Sequence, residues 1–147
     1  MTAKNYLRQI RLLDKKISQR VEEAAELRQL ALGFHAVEIK EDAVQTSPDG
    51  DKLAEAVGRY VDMEEEIDRM IDDFVDLKHK IIGEIQGLSD QRMVELLYLR
   101  YVKYMRLEEI ACTMKKADGT AYSYEHIRWL HGISLRKFAE SYSFLTS

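Results

Sequence analysis

The chain has a single proline, Pro48, and seven glycines in 147 residues. So few breakers exclude a turn-rich sandwich or barrel and leave room for long helices. A single cysteine, Cys112, excludes an intramolecular disulfide and any cysteine-cluster metal site. No apolar run approaches the 18 residues that a membrane-spanning helix needs, and the basic opening MTAKNYLRQIRLLDKK is not a secretory signal. There is no P-loop, no GxGxxG, no GxSxG and no local Cys–His pair. The sequence therefore gives no support to an enzyme or a cofactor site. What is present is 46% hydrophobic and 33% charged residues. That is enough apolar material for a core, and the composition fits an all-α, cytoplasmic protein.

Charge is unevenly spread. Residues 1–40 carry eight basic and five acidic side chains, a net +3. Residues 41–90 carry five and fifteen, a net −10, and residues 91–147 carry nine and six, a net +3. The acidic middle repels polyanions, so nucleic-acid contact is expected from the ends.

Residues 3–34 read as one helix, with Tyr6, Ile10, Leu13, Ile17, Ala24, Leu27 and Ala31 along a seam. Thr2 is its expected cap and Gly33 its expected stop. Residues 35–50, with QTSPDGD, read as a loop in which Ser47 or Asp49 caps the next helix. Residues 51–88 carry a coiled-coil-like repeat: Leu53, Tyr60, Ile67, Phe74, Ile81 and Leu88 lie seven apart. Val57, Ile71 and Ile85 take the partner positions, interrupted by Glu64 and Lys78, while Met63, Met70 and Leu77 widen the stripe on one side. Two such helices fold back into a long antiparallel hairpin, residues 1–88. Its stripe is wider than one partner helix covers. Leu53, Val57, Tyr60, Met63, Ile67, Met70, Ile71, Phe74, Leu77 and Ile81 are therefore expected to take part in self-association into a homodimer or higher oligomer. The alternative is that the C-terminal helices cover the surplus.

Residues 89–147 differ in character. Ser89 is the expected cap of a helix over 91–104, followed by helices 107–115 and 123–140 with the turn or short wing KADGTAY between them. Two short helices joined by a turn, the second opened by Ser123, are a helix-turn-helix signal. Ile127, Leu130, Ser134 and Phe138 share one face of the last helix and are expected to pack on Ile110, Ala111 and Met114. Tyr124, Glu125, Arg128, Gly132 and Arg136 share another, expected to enter a DNA major groove beside the capping Ser123. Arg128 is the candidate for bidentate pairing with guanine, against the plainer reading of a solvated helix arginine. Lys103, Arg106, Lys115 and Lys116 are candidate phosphate contacts, or ordinary surface charge. Trp129 and Ile133 form a second apolar stripe, read as core packing ahead of a contact with the N-terminal hairpin or a protein partner. His131 is read as a structural histidine and Cys112 as a buried small residue.

Two acidic signals carry little. Asp76 and His79 have carboxylate–histidine spacing but fall outside the seam, so no metal site is expected. The run from Asp62 to Asp76 lacks the oxygen pattern of a calcium loop and reads as a solvated face. Glu64 faces the seam in this register, where Arg20 is its expected partner.

The segments LLYLRYVKYMRLEEIACTM and YSYEHIRWLHGISLRKF resemble region four of bacterial sigma factors. The similarity is closer to a family of uncharacterised phage-encoded proteins of Gram-positive bacteria, and extends to AKNYLRQIRLLDKKI, VQTSPDGDKLAE and VDMEEEIDRMIDDFVDLKHKII. This sequence departs from the sigma pattern at KKADGTA, which lengthens the turn. The resemblance implies a helical N-terminal half, 1–88, followed by a small helix-turn-helix domain, 89–147. By similarity to the ArpU and RinA types of phage regulator, it implies transcriptional control on double-stranded DNA in a bacterial host. The competing expectations are a protein-interaction module that binds RNA polymerase, and a DNA-packaging protein like the small terminase.

Overall fold

A computed structural model of the chain describes the backbone of residues 1–40 and 48–146, and the side chains of 1–33 and 50–146. Five helices follow one another: α1 (Ala3–Lys40), α2 (Pro48–Gln86), α3 (Gln91–Leu97), α4 (Leu107–Thr113) and α5 (Tyr124–Ser141). A π-helical turn, Tyr98–Val102, continues α3. The described residues hold no strand, only two isolated bridges, so the fold is all-α as the composition implies. The chain divides into two compact units: Met1–Leu13 with Phe74–Ser147, and Asp14–Asp73. The expected boundary at residue 88 lies inside the first unit.

The helix ends obey local chemistry, with some differences from the sequence reading. Thr2 Oγ1 accepts from the Asn5 N–H at 3.2 Å and caps α1. Gly33 does not stop α1, which runs on to Lys40. The expected loop 35–50 is thus helical at 35–40 and again at 48–50, and 41–47, with Ser47, lies outside the described residues. Asp49 is not a cap, because α2 already begins at Pro48, a first-turn position where a missing N–H costs nothing. Asp90 rather than Ser89 caps α3: its Oδ1 accepts from the Arg92 N–H at 2.9 Å. Helix α4 ends at Thr113, two residues early.

Among the described residues of the unit 14–73, Ala24, Ala31, Ala56 and Ile67 are the buried apolar ones. Three of the four are alanines, which let two helices approach closely but give a thin core. Leu53, Tyr60, Met63 and Met70 are half-buried beside them, whereas Val57 and Ile71 are exposed. The row that completes the seam on α2 is therefore Ala56, Met63 and Met70, not Val57 and Ile71. The same correction moves Glu64 out of the seam. It is exposed and accepts the Tyr60 hydroxyl at 2.5 Å, while Arg20 pairs with Glu23 at 3.0 Å and Glu66 at 3.4 Å.

In the other unit the first turns of α1 and the last turns of α2 join α3–α5 in one core. Leu7, Ile10, Ile81, Ile85, Leu96 and Leu97 are fully buried there, together with Ile110, Ile127, Leu130 and Phe138. Phe74 and Leu77 pack against it from its edge. Tyr6 donates its hydroxyl to Glu84 Oε1 at 2.6 Å, and Tyr142 donates to the Glu84 carbonyl at 3.0 Å. Burial and the adjoining carboxylate push the Tyr6 hydroxyl well above the ordinary phenol range. The tail docks as well: Leu145 is buried, and the Thr146 N–H donates to the Met1 carbonyl at 3.0 Å. Within this unit the C-terminal helices thus cover the apolar residues at the start of α1 and the end of α2.

Candidate nucleic-acid interface

Helix α5 is held by its cap and its inner face. Ser123 Oγ accepts from the His126 N–H at 3.1 Å. Ile127, Leu130, Ser134 and Phe138 have no exposed surface, and Ile110, Ala111 and Met114 of the α4 segment are buried opposite. The buried Ser134 satisfies its hydroxyl by donating to the Leu130 carbonyl at 2.6 Å. His131, at the edge of this face, lies 2.9 Å by Nε2 from the Tyr101 hydroxyl. Burial first, then the charges of Arg100, Lys4 and Arg8, bring the imidazole down to about 4. Burial likewise pushes the Tyr101 hydroxyl up to about 12. The pair is a neutral structural contact, as expected of His131.

The opposite face is open. Tyr124, Glu125, Arg128, Gly132 and Arg136 are all exposed. Neither Arg128 nor Arg136 has an ion pair or a hydrogen bond among the described residues. A Cβ placed on Gly132 would meet nothing within 4 Å, so the backbone here lies open to a close approach from outside. The candidate phosphate contacts are more occupied. Arg106 pairs with Glu109 at 2.9 Å, Lys115 donates to the Cys112 carbonyl at 3.1 Å, and the Lys103 ammonium sits 5.7 Å from the Tyr98 ring centre. These contacts are surface-exposed and weak, so they orient the cations without consuming them.

Two sequence readings are overturned around this helix. Trp129 is 56% exposed and is not a core residue. At about 100° per residue it lies about 20° around the helix beyond Arg136, at the edge of the open face. Cys112 is exposed, because α4 turns Leu107, Ile110, Ala111 and the following Met114 inward.

The structure also shows how that indole is held. Lys116 sits 5.7 Å over the Tyr122 ring, Tyr122 stacks on His126 at 5.2 Å and 11°, and His126 meets Trp129 at 5.5 Å. A tryptophan three residues after a histidine, with a tyrosine four residues before that histidine, was the available signal. It was obscured by reading every apolar residue as core.

The segment between α4 and α5 is a compact wing. Lys115 and Ala121 bridge antiparallel, and the Lys116 N–H donates to the Thr120 carbonyl at 2.8 Å. Gly119 takes φ +85°, which closes the turn, and Asp118 Oδ1 accepts from both the N–H and the hydroxyl of Thr120. The lengthened turn KKADGTA is therefore ordered by its own hydrogen bonds. On the far side, α3 reaches α4 through the π-helical turn and a reversal. Tyr104 takes φ +59°, and Arg100 donates to the Met105 carbonyl at 2.9 Å.

Among the described residues, no three His, Cys, Asp or Glu side chains are placed to hold a metal ion, and no helix is long and apolar enough to cross a membrane. No protein-family model matches the chain, and neither a curated protein nor a solved structure does.

Proposed function

We propose that the protein is a DNA-binding transcriptional regulator of phage or prophage origin, working in the cytoplasm of a bacterial host. Helix α5 is its major-groove reader and the hairpin is its self-association element. The observation that carries this reading is the open face of α5. It presents two unpaired arginines, Arg128 and Arg136, beside an exposed tryptophan, on a helix whose other face is completely buried.

A helix with that division is rigid, and its cations are not neutralised within the chain. Arg128 is the base-edge residue, since a guanidinium pairs bidentately with guanine O6 and N7. Arg136, Lys115 and Lys116 contact phosphates. Trp129 supplies apolar contact to a thymine methyl or a sugar. A single domain with a net charge of +3 binds weakly, so two copies joined by their hairpins supply the affinity. The resemblance of LLYLRYVKYMRLEEIACTM and YSYEHIRWLHGISLRKF to sigma region four supports the same assignment.

Selection of binding sites from a random duplex pool tests it. The wild type is expected to enrich one motif containing guanine. Arg128→Ala is expected to lose about 1–3 kcal/mol on that motif and to tolerate any base at one position. A pool that stays random with the wild type would contradict the assignment and favour a protein partner such as RNA polymerase. A closed ring of many subunits would favour DNA packaging.

A further inference from the structure

The hairpin in the unit 14–73 has one seam and two broad sides, and the sides differ. On one side lies an apolar row that the seam does not use: Val21 and Leu32 on α1, Val57, Val61 and Ile71 on α2, each between 41% and 57% exposed. A groove of about 600 Å³ opens here, lined by Val21, Ala25, Arg28, Leu32, Glu64 and Asp68. A second, of about 290 Å³, continues it along Leu32, Val57 and Tyr60. The other side has a depression floored by Leu27, Leu30 and Met63 and edged by Glu23, Glu26, Asp62 and Glu66, with the single cation Arg59. Among the described residues the first side thus carries five exposed large apolar side chains, whereas the second carries one, Leu30, ringed by four carboxylates.

Charge identifies the occupant. On the apolar side Arg28 stands on the α1 edge, while Glu64 and Asp68 stand on the α2 edge. All three are exposed, and Arg28 has no ion pair among the described residues. We infer that this side docks a second copy of the chain, related by a two-fold axis running parallel to the helices. The inference rests on the reading of the hairpin as the self-association element.

That axis places α2 of the partner over α1 and α1 of the partner over α2, each pair antiparallel. Arg28 and Tyr60 line both grooves, and the Arg28 charge acts directly on the Tyr60 hydroxyl, so the two lie at about the same height. The partner's Glu64 then stands about one helical turn, roughly 6 Å, from Arg28, within reach of its guanidinium. The contact occurs twice by symmetry. A two-fold axis across the helices would instead lay α1 on α1 and separate Arg28 from the Glu64 row.

The extent is sufficient. Residues 14–40 make a helix of about 40 Å, and two helices side by side are about 20 Å wide. A face of about 800 Å² per copy is the size of a standard specific interface. Stacking the two hairpins buries the apolar rows and turns a thin two-helix seam into a four-helix core.

Sedimentation velocity of the full chain at micromolar concentration tests this, with far-UV circular dichroism to show that the helices persist. The wild type is expected to be a dimer. Arg28→Glu and Glu64→Arg each create two like-charge contacts and are expected to weaken the dimer by at least about tenfold. The double variant Arg28→Glu/Glu64→Arg restores opposite pairs and is expected to return to within about threefold of the wild type. A monomeric wild type would overturn both this interface and the self-association reading. A dimer indifferent to the single reversals, or a double variant without rescue, would overturn the interface and leave self-association standing. DNA binding measured on the same samples is a separate outcome, so the two readings fail independently.

Discussion

His131 illustrates how a residue's environment sets its chemistry. Its Nε2 lies 2.9 Å from the Tyr101 hydroxyl in the core, and burial holds the imidazole down to about 4. In the unfolded chain it titrates near 6.5. Between these values the unfolded state binds a proton that the folded state refuses. The contribution is therefore complete above pH 6.5 and is lost as pH falls toward 4. Urea unfolding of the wild type is expected to lose on the order of 2 kcal/mol between pH 7 and pH 4.5 through this group. In His131→Gln the fall over the same window is expected to be smaller by that amount, although the variant starts less stable. Equal slopes for the two proteins would show that the imidazole is not held neutral. The structural role of His131 was legible from its position beside Ile127 and Leu130. Its partner was not, because Tyr101 lies 30 residues away.

At the scale of the element, α5 separates a buried face from an open one. Gly132 sits in the middle of an 18-residue helix, on the open face, with free space where a side chain would be. Gly132→Ala is therefore expected to stabilise the fold by about 0.5–1 kcal/mol, seen as a higher urea midpoint with an unchanged slope. If the face closes on DNA, the added methyl is expected to weaken specific binding. A variant that is more stable and binds equally well would show that the backbone at this position makes no close contact. The inner face of α5 was legible because buried residues at i, i+3, i+7 and i+11 leave one solution. The seam of α2 was not. Val57 with Ile71, and Met63 with Met70, flank the same heptad row on opposite sides, and periodicity alone does not choose between them. Burial chooses: Ala56 is buried and Met63 and Met70 are half-buried, whereas Val57 and Ile71 are exposed. Trp129 escaped for a related reason: an apolar side chain on a helix reads as core until the other elements are placed.

At the scale of the molecule, the two units differ in how much of their apolar surface is covered. The unit containing α3–α5 has a deep core with aromatic and aliphatic side chains at zero exposure. Among its described residues the unit 14–73 buries three alanines and one isoleucine, and leaves Val21, Leu30, Leu32, Val57, Val61 and Ile71 open to solvent. Charge divides the chain as well, with the acidic run on α2 and basic segments at both ends. On the proposed function, one part of the molecule reads DNA and another pairs it with a second copy. The most direct measurement is fluorescence anisotropy of the wild type with duplexes tiled across the region upstream of its own operon, in competition with unrelated DNA and over a salt series. The expected result is tight binding to one duplex that survives competitor and weakens linearly with the logarithm of salt concentration. Equal weak binding to every duplex, or none, would contradict the assignment of α5 as a sequence-reading helix.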